Sequence, residues 1–345
     1  MWAVVGMTMT GCVKTEVEGA ASDAQSGKIG FATLVNKGSR VALDNNSIQK
    51  FWVYGGYTKN SSQLIQIFNS EEVTKGAEII DGNQSVWTYA GDPRYWIEGA
   101  SYTFYAYSNG NQALTPEAGR ANYADGVLNI ADYLADGAHQ EDLVFASKSA
   151  TGKAQGANGV VGFEFKHLLS RLRFNFTYAF PEGYEVTISK ARISNIRNKG
   201  KYNSGTNPGW DEPSRQPATP APAISMTFDN AQTAVISTTD KEARSQNMYV
   251  IPFKYESANV DLLFTIDVTY DGTAILSREV KGQWAPQWEM GKSYAYNVNI
   301  SGTSAGLEKI EFSADKVGEG DGDGWASGED NANFEFESTI PTPGN

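Results

Sequence analysis

Between residues 171 and 180 the side chains alternate strictly. Leu172, Phe174, Phe176, Tyr178 and Phe180 share one parity, with Arg171, Arg173, Asn175 and Thr177 on the other. The same period runs through Val260, Leu262, Phe264, Ile266, Val268 and Tyr270, and through Tyr294, Tyr296, Val298 and Ile300. Successive side chains of a strand point to opposite faces, so this pattern builds sheets with one buried and one wet face. Shorter strand-like stretches lie at 29–35, 49–54, 64–68, 86–89, 102–107, 160–165, 185–188, 223–228, 233–237, 248–253, 275–280, 307–312 and 334–340. Turn residues such as Asp81-Gly82-Asn83, Asn109-Gly110-Asn111 and Asp271-Gly272 separate them. Helical periodicity is scarce, and 115–120 and 133–142 each fit one short turn. Many short strands with almost no helix predict an all-β chain of sandwiches or barrels.

The 345 residues suffice for about two domains. The Gly- and Ala-rich stretch 151–159 is the candidate linker, which divides the chain into 41–155 and 156–345. Proline-rich 203–222 is unsuited to a central strand and reads as a surface excursion of the second domain. The 16 Phe, 8 Trp and 17 Tyr supply large burial per side chain for both cores.

Cys12 is the one cysteine, so no intramolecular disulfide forms. It follows Gly11 and the uncharged, mostly apolar or small residues 2–10. An apolar stretch ending in a small residue and then cysteine is how a bacterial lipoprotein leader ends. Residues 1–11 are then a signal peptide, and Cys12 carries the acyl chains that tie the protein to a membrane. No Lys or Arg precedes Lys14, and Met9 stands at position −3. The simplest repair is a true start upstream of Met1, with the leader truncated here. The alternative is an unstructured N-terminus with an incidental cysteine. A formal charge of −12 argues against nucleic acid and anionic membrane surfaces as partners. No later apolar run approaches the ~20 residues of a membrane helix.

Catalytic signatures are missing. The chain has only His139 and His167, too few with its one cysteine for an ordinary zinc site, and no cofactor is implied. No nucleophile elbow, phosphate-binding loop or dinucleotide fingerprint occurs. His167, near Phe163 and Phe165, reads as a partly buried, hydrogen-bonded histidine at a strand end. The basic residues Lys190, Arg192, Arg197, Lys199 and Lys201 read as the solvent face of a strand and the loop after it, with a partner-binding patch as the alternative. Glu319, Asp321, Asp323, Gly324, Ser327 and Asp330 fall at positions 1, 3, 5, 6, 9 and 12 of an EF-hand-like calcium loop. Asp330 stands where that loop has a bidentate Glu, and no helix flanks it. The alternative is a flexible acidic loop.

Four stretches carry a family resemblance. They are Trp96 with the aromatic run 101–107; Glu141-Asp142-Leu143-Val144-Phe145-Ala146; residues 161–172 around Phe165, His167 and Leu168; and Trp288-Glu289-Met290-Gly291-Lys292-Ser293-Tyr294-Ala295-Tyr296. In this order behind the Cys12 motif, the chain resembles the fimbrillins, subunits of the type V pili of anaerobic Gram-negative bacteria, and in particular the minor-fimbrillin-like branch. The resemblance spans most of 28–325.

The resemblance implies two transthyretin-like β-sandwich domains in tandem and export as an outer-membrane lipoprotein. It also implies maturation by a trypsin-like cut after arginine. The matching bond joins Arg40 to Val41, so 12–40 is a lipidated segment whose strand 29–35 is removed. Ile29, Phe31 and Val35 form that strand's buried face. Its loss opens a groove that a strand from the next subunit fills. The candidate donor is 333–340, with Phe334, Phe336, Ser338 and Ile340 on one parity. The alternative is that this strand completes the subunit's own second sheet. The implied role is a structural or adhesive, non-enzymatic subunit of a surface fimbrium. Its partners are other fimbrial subunits, with a host or bacterial surface ligand open. Competing functions are a surface carbohydrate-binding lipoprotein and a β-sandwich glycosidase.

Overall fold

The computed structural model describes residues 27–33, 48–60, 63–80, 84–153, 159–214, 223–229, 231–257, 259–301, 310–316, 325–328 and 335–336. Every regular element among them is a strand. The all-β expectation holds. The first ten are β1 (Phe31–Thr33), β2 (Lys50–Thr58), β3 (Ile65–Ile80), β4 (Gln84–Tyr89), β5 (Ser101–Asn109), β6 (Arg120–Ala124), β7 (Val127–Leu134), β8 (Leu143–Thr151), β9 (Val161–Phe163) and β10 (Lys166–His167). There follow β11 (Ser170–Ala179), β12 (Tyr184–Ser194), β13 (Lys199–Asn203), β14 (Gly209–Ser214), β15 (Ala223–Ser225), β16 (Thr233–Ser237), β17 (Glu242–Arg244) and β18 (Met248–Val250). The last are β19 (Val260–Tyr270), β20 (Thr273–Trp284), β21 (Lys292–Ser301), β22 (Ile310–Lys316), β23 (Ala326–Ser327) and β24 (Glu335–Phe336).

The first large sheet runs β10-β8-β5-β2-β3-β4. It is covered on both faces. One face carries Phe51, Val53, Phe104 and Ala106 and packs under the small parallel pair β1-β9. The other carries Trp52, Tyr54, Tyr105 and Tyr107 and packs under the four-stranded sheet β14-β13-β7-β6. Double cover explains why Phe51-Trp52-Val53-Tyr54 shows no polar alternation: all four side chains are buried. Where β2 shifts register, Gly56 is required. A Cβ there would sit 2.4 Å from the Ile65 carbonyl oxygen.

The second core lies between two sheets, β17-β11-β21-β22 and β15-β12-β19-β20-β24. β11 and β21 pair in parallel over nine residues, from Arg171 opposite Ser293 to Ala179 opposite Ser301. The even residues Leu172, Phe174 and Phe176 are fully buried, as the alternation requires. At the centre the Trp288 indole donates to the Tyr296 hydroxyl at 2.8 Å, which satisfies a buried polar pair inside an apolar core. The β19–β20 hairpin closes on Asp271 and Gly272, with φ of 44° and 75°. Two consecutive positive φ values make the tight turn expected of Asp-Gly.

Two sequence expectations are corrected. The short turns expected at 115–120 and 133–142 are present, at 116–118 and 136–138, but the stretch between them holds two strands the pattern did not reveal: β6 and β7 form a hairpin on Asp125-Gly126, with φ of 53° and 77°. The stretch 203–222 is not wholly an excursion either. β13 ends in it and β14 lies within it; β14 pairs with β13 and β13 with β7, so this cover sheet draws strands from both sides of residue 155. Pro213 is tolerated because β14 is the sheet's edge.

Candidate assembly site

Residues 27–33 lie across the phenylalanine-rich face of the first large sheet. Ile29 is fully buried, and Phe31 is 3% exposed. The Phe31 ring meets Phe68 edge-on at 5.1 Å and Phe104 at 6.0 Å, and stacks on Phe163 at 5.8 Å. These contacts fill a slot lined by aromatic rings. The odd residues point inward because strand side chains alternate, while Gly30 and Ala32 keep the other side slim.

Main-chain bonds hold the segment on both flanks. On one side the Ile29 amide donates to the Arg94 carbonyl at 2.8 Å, and the Trp96 amide donates to the Gly27 carbonyl at 3.0 Å. On the other, the Val161 amide donates to the Gly30 carbonyl at 2.8 Å, ahead of the parallel β1–β9 ladder. The Tyr89 hydroxyl donates to the Ile29 carbonyl at 3.0 Å. The segment therefore sits as a strand between two acceptor edges, 94–96 and β9. Its removal would leave both edges unpaired over an apolar slot.

Arg94 stiffens one wall. It pairs with Glu71 at 2.9 Å, donates to the Ile67 carbonyl, and lies 5.0 Å from the centre of the Phe68 ring. Periodicity gave no sign of Arg94 or Tyr89, because they act on the segment through a carbonyl and a hydroxyl. Only their place beside Trp96 could have drawn attention to them.

Of the expected site residues, Cys12, Arg40, Val41, Glu319, Asp321, Asp323, Asp330, Phe334, Ser338 and Ile340 lie outside the described residues, as does Val35. Phe336 falls in β24, where it pairs with Gly282, while Glu335 pairs with Gln283 on the β20 edge. Just before it, 325–328 runs along β21, with Trp325 stacked on His167 at 4.0 Å and beneath the Arg171 guanidinium at 5.2 Å. His167 is buried, and its Nδ1 bonds to Asp142 Oδ2 at 2.8 Å. The histidine is thus a packing element, as expected, though more deeply buried. The basic cluster separates into individual contacts: Arg192 with Glu279, Lys199 with Asp132, Lys201 with Asp211, and Arg197 over the Phe253 ring. Among the described residues no group of three or more acidic, histidine or cysteine side chains could hold a metal ion.

Buried tyrosine hydroxyls occur on both faces of the sheet: burial raises Tyr102 on the Phe104 face, and the opposite face holds more of them. Burial raises the hydroxyls of Tyr54, Tyr105, Tyr123, Tyr133 and Tyr202 above their ordinary range. Burial, with Tyr54 adding to it, pushes Tyr107 up to about 12.

Among solved structures, the chain is similar to a candidate cell adhesion protein of Bacteroides uniformis, at 17% identity over 84% of this chain and 98% of that one, with a TM-score of 0.42. A candidate cell adhesion protein of Bacteroides eggerthii matches at 12% over 84% and 94%, with a TM-score of 0.43. The fimbrial anchor protein Mfa2 of Porphyromonas gingivalis matches at 10% over 83% and 95%, with a TM-score of 0.34. No curated protein matches the chain. The fimbrillin-like family model matches residues 39–315, most of the 345, and the chain belongs to that family.

Proposed function

We propose that this chain is a structural and adhesive subunit of a cell-surface pilus, assembled by strand exchange after proteolytic removal of its first strand. The observation that carries the reading is the seat of residues 27–33. A short strand fills an apolar slot and is hydrogen-bonded along both flanks. An edge of this kind recruits a strand from another chain through main-chain bonds, while the slot selects its side chains. Each large apolar side chain withdrawn from the slot costs roughly 1.5–3 kcal/mol, which drives uptake of a replacement. A head-to-tail contact that does not close on itself extends into a filament.

The tail 333–340 has the pattern the slot requires. Phe334, Phe336, Ser338 and Ile340 repeat, at the same spacing, the order of Ile29, Phe31, Thr33 and Val35. Export as an outer-membrane lipoprotein through Cys12, cleavage between Arg40 and Val41, and polymerisation with other fimbrial subunits complete the reading. Two β-sandwich domains belong to it as well. The cores around β5 and β11 support them, with β14-β13-β7-β6 as a sheet to which both halves of the chain contribute. The role is structural and not catalytic.

The test is trypsin treatment followed by native gel and electron microscopy, wild type beside Phe336→Asp. Ladders from the wild type alone support the proposal. Equal ladders from both mean that 333–340 is not the donor. An unfolded Phe336→Asp protein means that the pairing of β24 with β20 is a permanent part of the subunit's own sheet, and 333–340 is not the donor. Fatty-acid labelling of a Cys12→Ala protein that still incorporates label would refute the anchor.

A further inference from the structure

At the end of the second core formed by the turn Pro181–Gly183 and the β19–β20 hairpin, a file of aromatic rings runs from the interior to solvent. Tyr178 is buried, Phe180 and Tyr184 are half-buried, and Tyr270 is 45% exposed. Their ring centres follow at 5.4, 5.6 and 4.9 Å. The file is rigidly held. The Tyr178 hydroxyl lies 2.9 Å from both the Pro181 and Tyr184 carbonyls, and the Asp271 amide donates to the Gly183 carbonyl at 2.9 Å. Gly183 has φ of 91°, and a Cβ on it would meet the Tyr270 ring at 2.8 Å. Glycine there lets the exposed ring lie against the backbone, so an incoming ligand meets a surface already fixed in place.

The rim is polar and mostly acidic. Glu182, Glu185, Asp240 and Asp271 are exposed around the file, with Lys241 beside them. Four carboxylates against one ammonium disfavour phosphate, anionic lipid and acidic sugars. Hydroxyl-rich neutral ligands suit such a rim, because carboxylates accept their hydrogen bonds. A sugar ring has an apolar face of C–H bonds that lies against an aromatic ring, and hydroxyls around its edge. A fixed tyrosine ringed by acceptors matches both features.

We infer that Tyr270, backed by Tyr184 and Phe180 and rimmed by Asp271 and Glu182, forms a binding site for neutral polysaccharide. The site shares no residue with the β1 slot, so it stands or falls apart from strand exchange.

The test uses the full, uncut chain in affinity gel electrophoresis, with glucomannan, xyloglucan and arabinoxylan as probes. Retardation by at least one probe is expected. Tyr270→Ala should weaken it about tenfold, the upper range for loss of one aromatic contact. Tyr270→Trp should keep or strengthen it. Ile275→Ala, a change at another exposed apolar side chain of the same hairpin, should leave it unchanged. Thermal melts establish that each variant is folded. If Tyr270→Ala does not fold, loss of binding in a folded Tyr270→Ser carries the same weight. The inference is overturned if no probe retards the wild type, or if folded Tyr270→Ala binds as well as wild type. It is also overturned if Ile275→Ala loses binding equally, or if only a polylysine probe is retained, which would mark the patch as a site for basic protein.

Discussion

The two faces of the sheet β10-β8-β5-β2-β3-β4 are built by alternate residues of the same strands, yet they are covered in opposite ways. The Phe51 and Phe104 face is closed by β1 and β9, three residues each. The Trp52, Tyr105 and Tyr107 face is closed by four strands joined into their own sheet. The chemistry matches the cover. Phenylalanines meet the Phe31 ring, and the Tyr89 hydroxyl meets the cover through the Ile29 main-chain carbonyl, a kind of partner that any replacement strand also supplies. The tyrosine face holds buried hydroxyls, Tyr133 on Asn109 and the Glu141 carbonyl and Tyr107 on the Leu114 amide, and its cover is four strands hydrogen-bonded to one another. Depth of burial alone therefore does not mark a permanent part of the core: Phe31 at 3% and Leu128 at 0% exposure sit under different obligations.

That contrast can be broken at several points. Phe104→Ala removes the permanent wall of the slot and should cost about 3–5 kcal/mol of global stability in a denaturant titration. A loss under about 1 kcal/mol would mean the wall is no firmer than its lid. Ile130→Ala, in the cover sheet of the other face, should cost about 2–5 kcal/mol, also globally. If it instead loosened β6 and β7 while the body stayed folded, the two covers would be alike.

Alkali should act on the tyrosine face. The folded Tyr107 hydroxyl titrates near 12, above its unfolded value near 10. Its contribution is then fully present below pH ~10 and is lost as pH rises through about 12, to a limit of roughly 3 kcal/mol. Urea midpoints compared at about pH 9 and about pH 11.5 should fall for wild type and fall less for Tyr107→Phe. Equal falls would remove Tyr107 from the account. The smallest global effect should come from Phe31→Ala. Its loss is limited to what holds residues 27–33 in place, so the main unfolding transition should move by less than about 1 kcal/mol while limited trypsin after Arg40 releases the segment faster.

Much of this was readable in advance. β11, β19 and β21 stand out because each has one wet face, and the parity of Ile29 and Phe31 already marks the buried side of β1. The cover sheet was not readable from period. β6 has five residues, and in β7 the alternation of Leu128, Asn129 and Ile130 breaks at Asp132, where φ is 52° and Tyr133 is buried in its place. The Asp125-Gly126 turn was their one clear signal. β13 and β14 were hidden by proline and glycine, which an edge strand tolerates and a central one does not. The flanks of the slot, at 94–96 and β9, bind through backbone groups, which no residue pattern encodes.

The central claim is that residues 27–33 form a detachable lid on a body that stays folded. Native-state hydrogen exchange on the uncut chain tests it directly. The Ile29 amide, bonded to the Arg94 carbonyl, and the Val161 amide, bonded to the Gly30 carbonyl, report the two flanks. The account predicts that both exchange through an opening several kcal/mol cheaper than the one that exposes the amides of β2 and β5. If Ile29 and Val161 exchange only together with β2 and β5, by global unfolding, the lid is part of the core and the account is wrong.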